Sequence, residues 1–224
     1  PIITSQTHPD PTRWYADNSP QLDLLTQPTA INARQYSYVL DREPGTIPDT
    51  IPDVGIRNDR LIFVGLGDAA WWMHVRAYDE LGYWTDASHF AIKIDSTPPP
   101  VVSNLRWVTS PPSLPPLAGE GGQAPTSEIA LEWRPVDDTS GIIPYHVQIA
   151  VNSRDFQSNL LIDETVDGKV TRYTFTGVPG ATYYARVKAE NGANLLSRSW
   201  SSVTPEYTLN KPPAYDVNRD EVVD

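Results

Sequence analysis

Apolar residues recur at every second position along this chain, in short runs that stop at proline, glycine or aspartate. The run "EIALEW" alternates Ile129, Leu131 and Trp133 with polar neighbours, and "YHVQIA" alternates Tyr145, Val147 and Ile149. A period of two sends one side of such a run into a core and the other toward solvent, as a half-buried strand requires. The first half offers "QLDLL", "YSYVL" and "RLIFVGL" in a similar order. No window keeps the apolar spacing of an amphipathic helix beyond about ten residues. With 22 prolines and 13 glycines punctuating 224 residues, the pattern predicts an all-β protein of short strands.

One pattern occurs twice. "GLGDAAWWMHVRAYDELG" begins at Gly65, and "GVPGATYYARVKAENGAN" begins at Gly177, one small domain's length further on. Gly65, Ala69, Val75 and Ala77 recur as Gly177, Ala181, Val187 and Ala189, and the pair Trp71-Trp72 falls on Tyr183-Tyr184. Within each copy the alternation assigns an inner face: Trp71, Met73, Val75 and Ala77 in the first, Tyr183, Ala185, Val187 and Ala189 in the second. The outer faces are Trp72, His74, Arg76 and Tyr78, then Tyr184, Arg186, Lys188 and Glu190. A slip of one residue would bury Arg186 and Lys188, so the register is strongly specified. Two copies of one β-domain explain the repeat better than one large fold.

Proline-rich "DSTPPPVV" separates the copies as a short, semi-rigid spacer. The chain therefore divides into a sandwich over 1–97, a second over 98–209 with a Pro/Gly-rich insertion at 110–127, and a terminal segment over 210–224. The second sandwich resembles a fibronectin type III domain. The likeness is carried by Trp133, "PVDDTSGIIPYHVQIA", "YTFTGVPGATYYARVKAENG" and the closing "SRSWSS". The first, through "YSYVLDREPGTIPDT", "WWMHVRAYDELGYW" and "IDSTPPP", is similar to immunoglobulin-like modules of large prokaryotic surface proteins. The resemblance implies two tandem antiparallel β-sandwiches, secreted or displayed on a prokaryotic cell surface. It also implies that the Tyr183 hydroxyl bonds back to nearby backbone at a strand corner. In the first copy Trp71 has only an N–H to offer, so that corner must be held differently.

Charge and composition narrow the partners. The net charge of −11 and the scattered placement of 17 Lys and Arg argue against nucleic acid. No apolar run approaches the roughly 18 residues of a membrane helix, which argues against membrane insertion. The first residues, "PIITSQTHPD", have no signal-peptide pattern, and the chain reads as part of a larger protein. The absence of cysteine excludes disulfides, thiolate catalysis and cysteine-ligated zinc.

Little in the sequence suggests catalysis. There is no G-x-S-x-G, and His8, His74, His89 and His146 are isolated along the chain. Asp137 and Asp138 imitate a glycosidase pair but lie in "DDTSG", where such side chains bond local backbone. The expectation is a non-enzyme without a bound cofactor: a spacer and adhesion scaffold that presents or links other domains. The alternatives are a glycan-binding module or accessory domains of an extracellular hydrolase. Trp72, Trp84 and Tyr184 are the candidate polysaccharide contacts, although Arg76 and Lys188, four residues beyond Trp72 and Tyr184, would cover those two rings.

The ending "DVNRDEVVD" carries the sharpest motif. With Asp216 at position 1, a calcium loop finds Asn218 at 3, Asp220 at 5, the Val222 carbonyl at 7 and Asp224 at 9. This resembles the first half of a dockerin calcium repeat, which implies Ca2+ and a cohesin-like protein as partners. Glu221 stands where the motif has glycine, and the closing acidic ligand at position 12 is missing. The expectation is an incomplete loop, completed in the parent protein.

Overall fold

The structure is a computed structural model that describes residues 1–25, 33–55, 59–108 and 128–210. Every regular element among them is a strand, and no helix is long and apolar enough to cross a membrane. The chain separates into two compact units. Unit 1 comprises Pro1–Pro100 with Val136–Ile143 and Ala189–Arg198. Unit 2 comprises Val101–Pro135, Pro144–Lys188 and Ser199–Asp224.

The strands up to Pro100 are β1 (Ile2–Ser5), β2 (Trp14–Tyr15), β3 (Gln21–Leu25), β4 (Ala33–Asp41), β5 (Val54–Gly55), β6 (Arg60–Ile62), β7 (Ala69–Asp79) and β8 (Ser88–Ile94). They form a three-stranded sheet, β1-β3-β6, and a five-stranded sheet, β2-β8-β7-β4-β5. Leu22 and Leu24 of β3 meet Tyr36 of β4, Met73 and Val75 of β7, and Ile92 and Ile94 of β8 in one core. These are the alternating apolar positions, and burying each such side chain contributes roughly 1.5–3 kcal/mol before the entropy of ordering is subtracted.

The later strands are β9 (Arg106–Val108), β10 (Glu128–Glu132), β11 (Ile142–Val151), β12 (Leu160–Asp167), β13 (Arg172–Thr176), β14 (Thr182–Asn191) and β15 (Tyr207–Thr208). They form the sheets β13-β10-β9 and β12-β11-β14-β15. The inner face is the one the alternation assigned: Ile129 and Leu131, with Trp133 just beyond β10, then Tyr145, Val147, Ile149, Tyr183, Ala185 and Val187 are all buried. Trp133 packs edge-on against Tyr145 at 5.4 Å between ring centres. On the other face of β14, Arg186 lies between Phe156 at 4.3 Å and Trp200 at 4.5 Å, and donates from Nε to Gln148. Burial in that stack lowers the guanidinium pKa below its usual value. β12 closes one side of its sheet with mostly exposed side chains, including Leu161, Asp163, Glu164 and Asp167.

One assignment of faces is corrected. His74 stands on the side of β7 read as outward, yet it is fully buried. β7 is paired on both flanks, so His74 sits between Val39 of β4 and His89 of β8, and those neighbours cover it.

Candidate functional site

The repeated strand ends in a repeated turn, and the candidate site grows from it. Asp79 ends β7 and accepts the backbone N–H groups of Leu81 at 2.9 Å and Tyr83 at 2.8 Å through Oδ1. Asn191 ends β14 and does the same for Ala193 at 3.1 Å and Leu195 at 2.9 Å. Three residues on, both turns pass through positive φ, at Gly82 (91°) and Asn194 (62°). Asparagine tolerates that region almost as glycine does. Six residues on, a hydroxyl accepts from the strand: Thr85 from the Ala77 N–H at 3.0 Å, Ser197 from the Ala189 N–H at 3.3 Å.

Asn191 has an amide nitrogen to spare, and it is aimed at carboxylates. Within unit 1, Nδ2 lies 3.0 Å from Asp95 Oδ2, 3.1 Å from Asp138 Oδ1 and 3.1 Å from the Thr97 carbonyl. Asp95 is fully buried and also accepts the Ser140 N–H at 3.0 Å and the Ser140 hydroxyl at 2.5 Å. Burial, reinforced by a hydrogen bond and repulsion from Asp95, pushes the Asp138 carboxyl up to about 6. Asp138 therefore keeps its proton to a higher pH than an ordinary aspartate, and gives it up as pH rises through about 6. The arrangement is chemically closed: the amide nitrogen occupies the point where three oxygens converge, and two backbone donors prevent its oxygen from replacing it. Among the described residues no cluster of three or more His, Asp or Glu is arranged to hold a metal.

The sequence reading treated Asp138 as turn chemistry beside Asp137. Asp138 does belong to the turn, with Gly141 N–H donating to its carbonyl at 3.1 Å, but its carboxylate partner is Asp95, from a distant part of the chain. The signal for it lay in the repeat: Asn191 aligns with Asp79, and an amide replaces a carboxylate where carboxylates already stand.

The histidines are less isolated than their spacing suggested. His74 Nε2 lies 3.2 Å from Asp41 Oδ1, and His74 Nδ1 lies 2.6 Å from Nδ1 of exposed His89. This is a relay with no nucleophile: the described hydrogen bonds bring no hydroxyl to His89. His8 is buried, with Nε2 2.8 Å from the Asp17 carbonyl and Nδ1 2.9 Å from the Thr7 hydroxyl. That pairing fixes the tautomer with the proton on Nε2, and burial lowers its pKa.

The three aromatic candidates each have local partners of their own. Trp84 packs on Tyr78 at 5.1 Å, under the Arg76 guanidinium at 5.6 Å. Trp72 is half-buried in β7, opposite Asp41 and Ala91. Tyr184, in unit 2, carries Arg154 over its ring at 5.2 Å and reaches Glu206 through its hydroxyl at 3.3 Å. The cations expected over Trp72 and Tyr184 lie elsewhere, Arg76 on Trp84 and Lys188 on Trp200. The proposed calcium ligands Asp216, Asn218, Asp220, Val222 and Asp224, and all of the 110–127 insertion, lie outside the described residues.

The two strand corners differ as their residues require. The Tyr183 hydroxyl accepts the Val178 N–H at 2.6 Å, whereas Trp71 donates from Nε1 to the Gly67 carbonyl at 2.9 Å. Gly177 makes the first possible, since a Cβ there would fall 2.5 Å from Ile129 Cδ1 and 3.2 Å from the Tyr183 hydroxyl.

Residues 111–205 match the model of the fibronectin type III domain. No curated protein matches the chain. Among solved structures, the chain is similar to a multidomain fragment of titin, with 16% identity and a TM-score of 0.52 over 89% of this chain, and spans 61% of that fragment. It is also similar to the FN1–FN3 domains of chicken CNTN1, at 14% identity and a TM-score of 0.45, over 89% of this chain and 64% of that one. A two-domain fibronectin type III segment of chicken tenascin gives 14% identity and a TM-score of 0.33, over 94% and 98% of the two chains. The fold is thus all-β, with sheets arranged as fibronectin type III and immunoglobulin-like sandwiches. Fibronectin type III domains are commonly structural or scaffolding modules of multidomain proteins, and the fold is in general non-catalytic.

Proposed function

We propose that this chain is a non-catalytic spacer and adhesion scaffold within a larger secreted or cell-surface protein of prokaryotic type. Its sandwiches, over 1–97 and 98–209, present or link other domains. One observation carries the reading: the polar side chains best placed for chemistry are spent on holding backbone. Asp79 Oδ1, Asn191 Oδ1 and the hydroxyls of Thr85, Ser197 and Tyr183 each accept a main-chain N–H of the repeated strand and turn. A spacer needs that, and needs no open site. The segment after residue 209 would take Ca2+ on Asp216, Asn218, Asp220, the Val222 carbonyl and Asp224 where further residues supply a closing acidic ligand, and would then dock a cohesin-like protein.

A domain exchange in the parent protein tests the spacer. Replacing 1–209 by two unrelated β-sandwiches of equal length is expected to restore display and adhesion. Loss of adhesion with display intact would show that this surface itself binds, and would sink the reading. A glycan array probed with the wild type and with Trp72→Ala, Trp84→Ala and Tyr184→Ala then reports whether those rings are the contact.

A further inference from the structure

The outer face of the β13-β10-β9 sheet gathers arginines in a chain that is otherwise strongly acidic. Glu132 of β10 stands opposite Arg172 of β13 and Arg106 of β9 in the strand register. Its two oxygens are divided between them: Oε1 lies 2.6 Å from Arg172 Nη1, and Oε2 lies 3.2 Å from Arg106 Nη2. Arg134, two residues beyond Glu132 on the same side, is exposed and has no ion-pair partner among the described residues. Three guanidinium groups and one carboxylate leave a local charge of about two positive units, in a protein whose net charge is −11.

These residues line a cleft of about 230 Å³, together with Asn104, Trp133 and Thr171. Its walls are tied by backbone: the Arg134 N–H donates to Ser103 at 3.0 Å, and the Trp133 N–H to Thr171 at 3.1 Å. Asn104 is held at a φ of 56° at the rim.

We propose that this cleft binds the carboxylate of an acidic sugar, as in a uronic acid residue of a polysaccharide. Glu132 supplies the internal precedent, since the cleft already holds one carboxylate with one guanidinium per oxygen, each a charge-assisted contact. The exposed Arg134 and the solvent faces of Arg106 and Arg172 offer the same chemistry outward. Asn104 and Thr171 beside them are neutral hydrogen-bonding groups, matched to hydroxyls flanking a carboxylate. The volume is below the roughly 300–1,000 Å³ of pockets that enclose a whole small ligand, so it admits one ring with the rest of the polymer outside. None of Trp72, Trp84 and Tyr184 lines the cleft, and the proposal stands whether or not the spacer reading holds.

The test is a titration of the whole chain with glucuronate, followed by nuclear magnetic resonance of the arginine side chains. Glucose and a short poly-glutamate peptide serve as comparisons. Saturable shifts at these residues with millimolar glucuronate, absent with glucose and weakened by salt, are the expected result. Arg134→Ala, at an exposed position that leaves the fold intact, should weaken binding about tenfold. Glu132→Gln should strengthen it severalfold, because it removes the competing internal carboxylate. No saturation, equal shifts with glucose, or indifference to both substitutions overturns the proposal. Tighter binding of the peptide at the same residues overturns the sugar assignment in favour of an acidic polypeptide.

Discussion

The turns after β7 and β14 have one backbone and two chemistries. Both are held by a side-chain oxygen that accepts from residues two and four further on, and both hide that side chain from solvent. In the first the side chain is Asp79, whose second oxygen is dispensable to the turn. In the second it is Asn191, whose nitrogen serves Asp95, Asp138 and Thr97. The lesson is that the oxygen builds the turn, and the other atom is chosen by what it faces.

The comparison breaks most sharply at Asn191. Asn191→Asp keeps the turn acceptor but removes the donor and adds a third carboxylate beside two others, so a loss of about 3–5 kcal/mol is expected in chemical denaturation. The mirror change, Asp79→Asn, should stay within about 1 kcal/mol. Equal losses at the two sites would refute the division of labour between oxygen and nitrogen. At the strand corners, Tyr183→Phe removes the acceptor for the Val178 N–H and should cost about 1–2 kcal/mol, more than Trp71→Phe, where only a carbonyl loses its partner.

The positive-φ positions should separate less. Gly82→Ala is expected to cost about 1 kcal/mol in the thermal midpoint's free-energy equivalent, and Asn194→Gly only a few tenths. A comparable loss at Asn194 would mean that its side chain holds more than the backbone. The smallest effect concerns pH. Asp138 binds its proton more tightly in the fold, at about 6, than an ordinary aspartate does in an unfolded chain, near 3.9. Its contribution to stability is therefore complete below about pH 4 and fades as pH rises through 6. Asp138→Asn should be neutral near pH 4 and stabilising by about 1 kcal/mol at pH 7, a figure reduced for solvent screening of a half-buried group. Parallel stability–pH curves for the two proteins would remove the Asp95–Asp138 coupling.

The strands were legible in the sequence because a period of two reports directly on burial. Ile129, Leu131, Tyr145, Val147, Ile149, Tyr183, Ala185 and Val187 are inward by alternation and inward in the fold. The exchange of tyrosine for tryptophan at the corner was legible for the same local reason, since donor and acceptor lie within a few residues. Burial of His74 was not, because alternation tells which side a residue occupies and not whether neighbouring strands cover that side. The Asp95–Asp138–Asn191 cluster was invisible as a cluster, since its members come from three distant segments and each has a sufficient local explanation in its own turn. The arginine cleft escaped notice likewise: Arg106, Glu132 and Arg172 converge only through strand pairing.

The outermost strand β12 bears on how the protein can be handled. Among the described residues no strand pairs with the outer side of β12, so its eight residues are a template on which another chain could extend the sheet, and Leu160 and Leu161 would favour it. Asp163, Glu164 and Asp167 set like charges along that template, so an approaching copy meets its own acidity. Neutralising them, as in Asp163→Asn with Glu164→Gln, is expected to raise light scattering at temperatures where the protein is still folded.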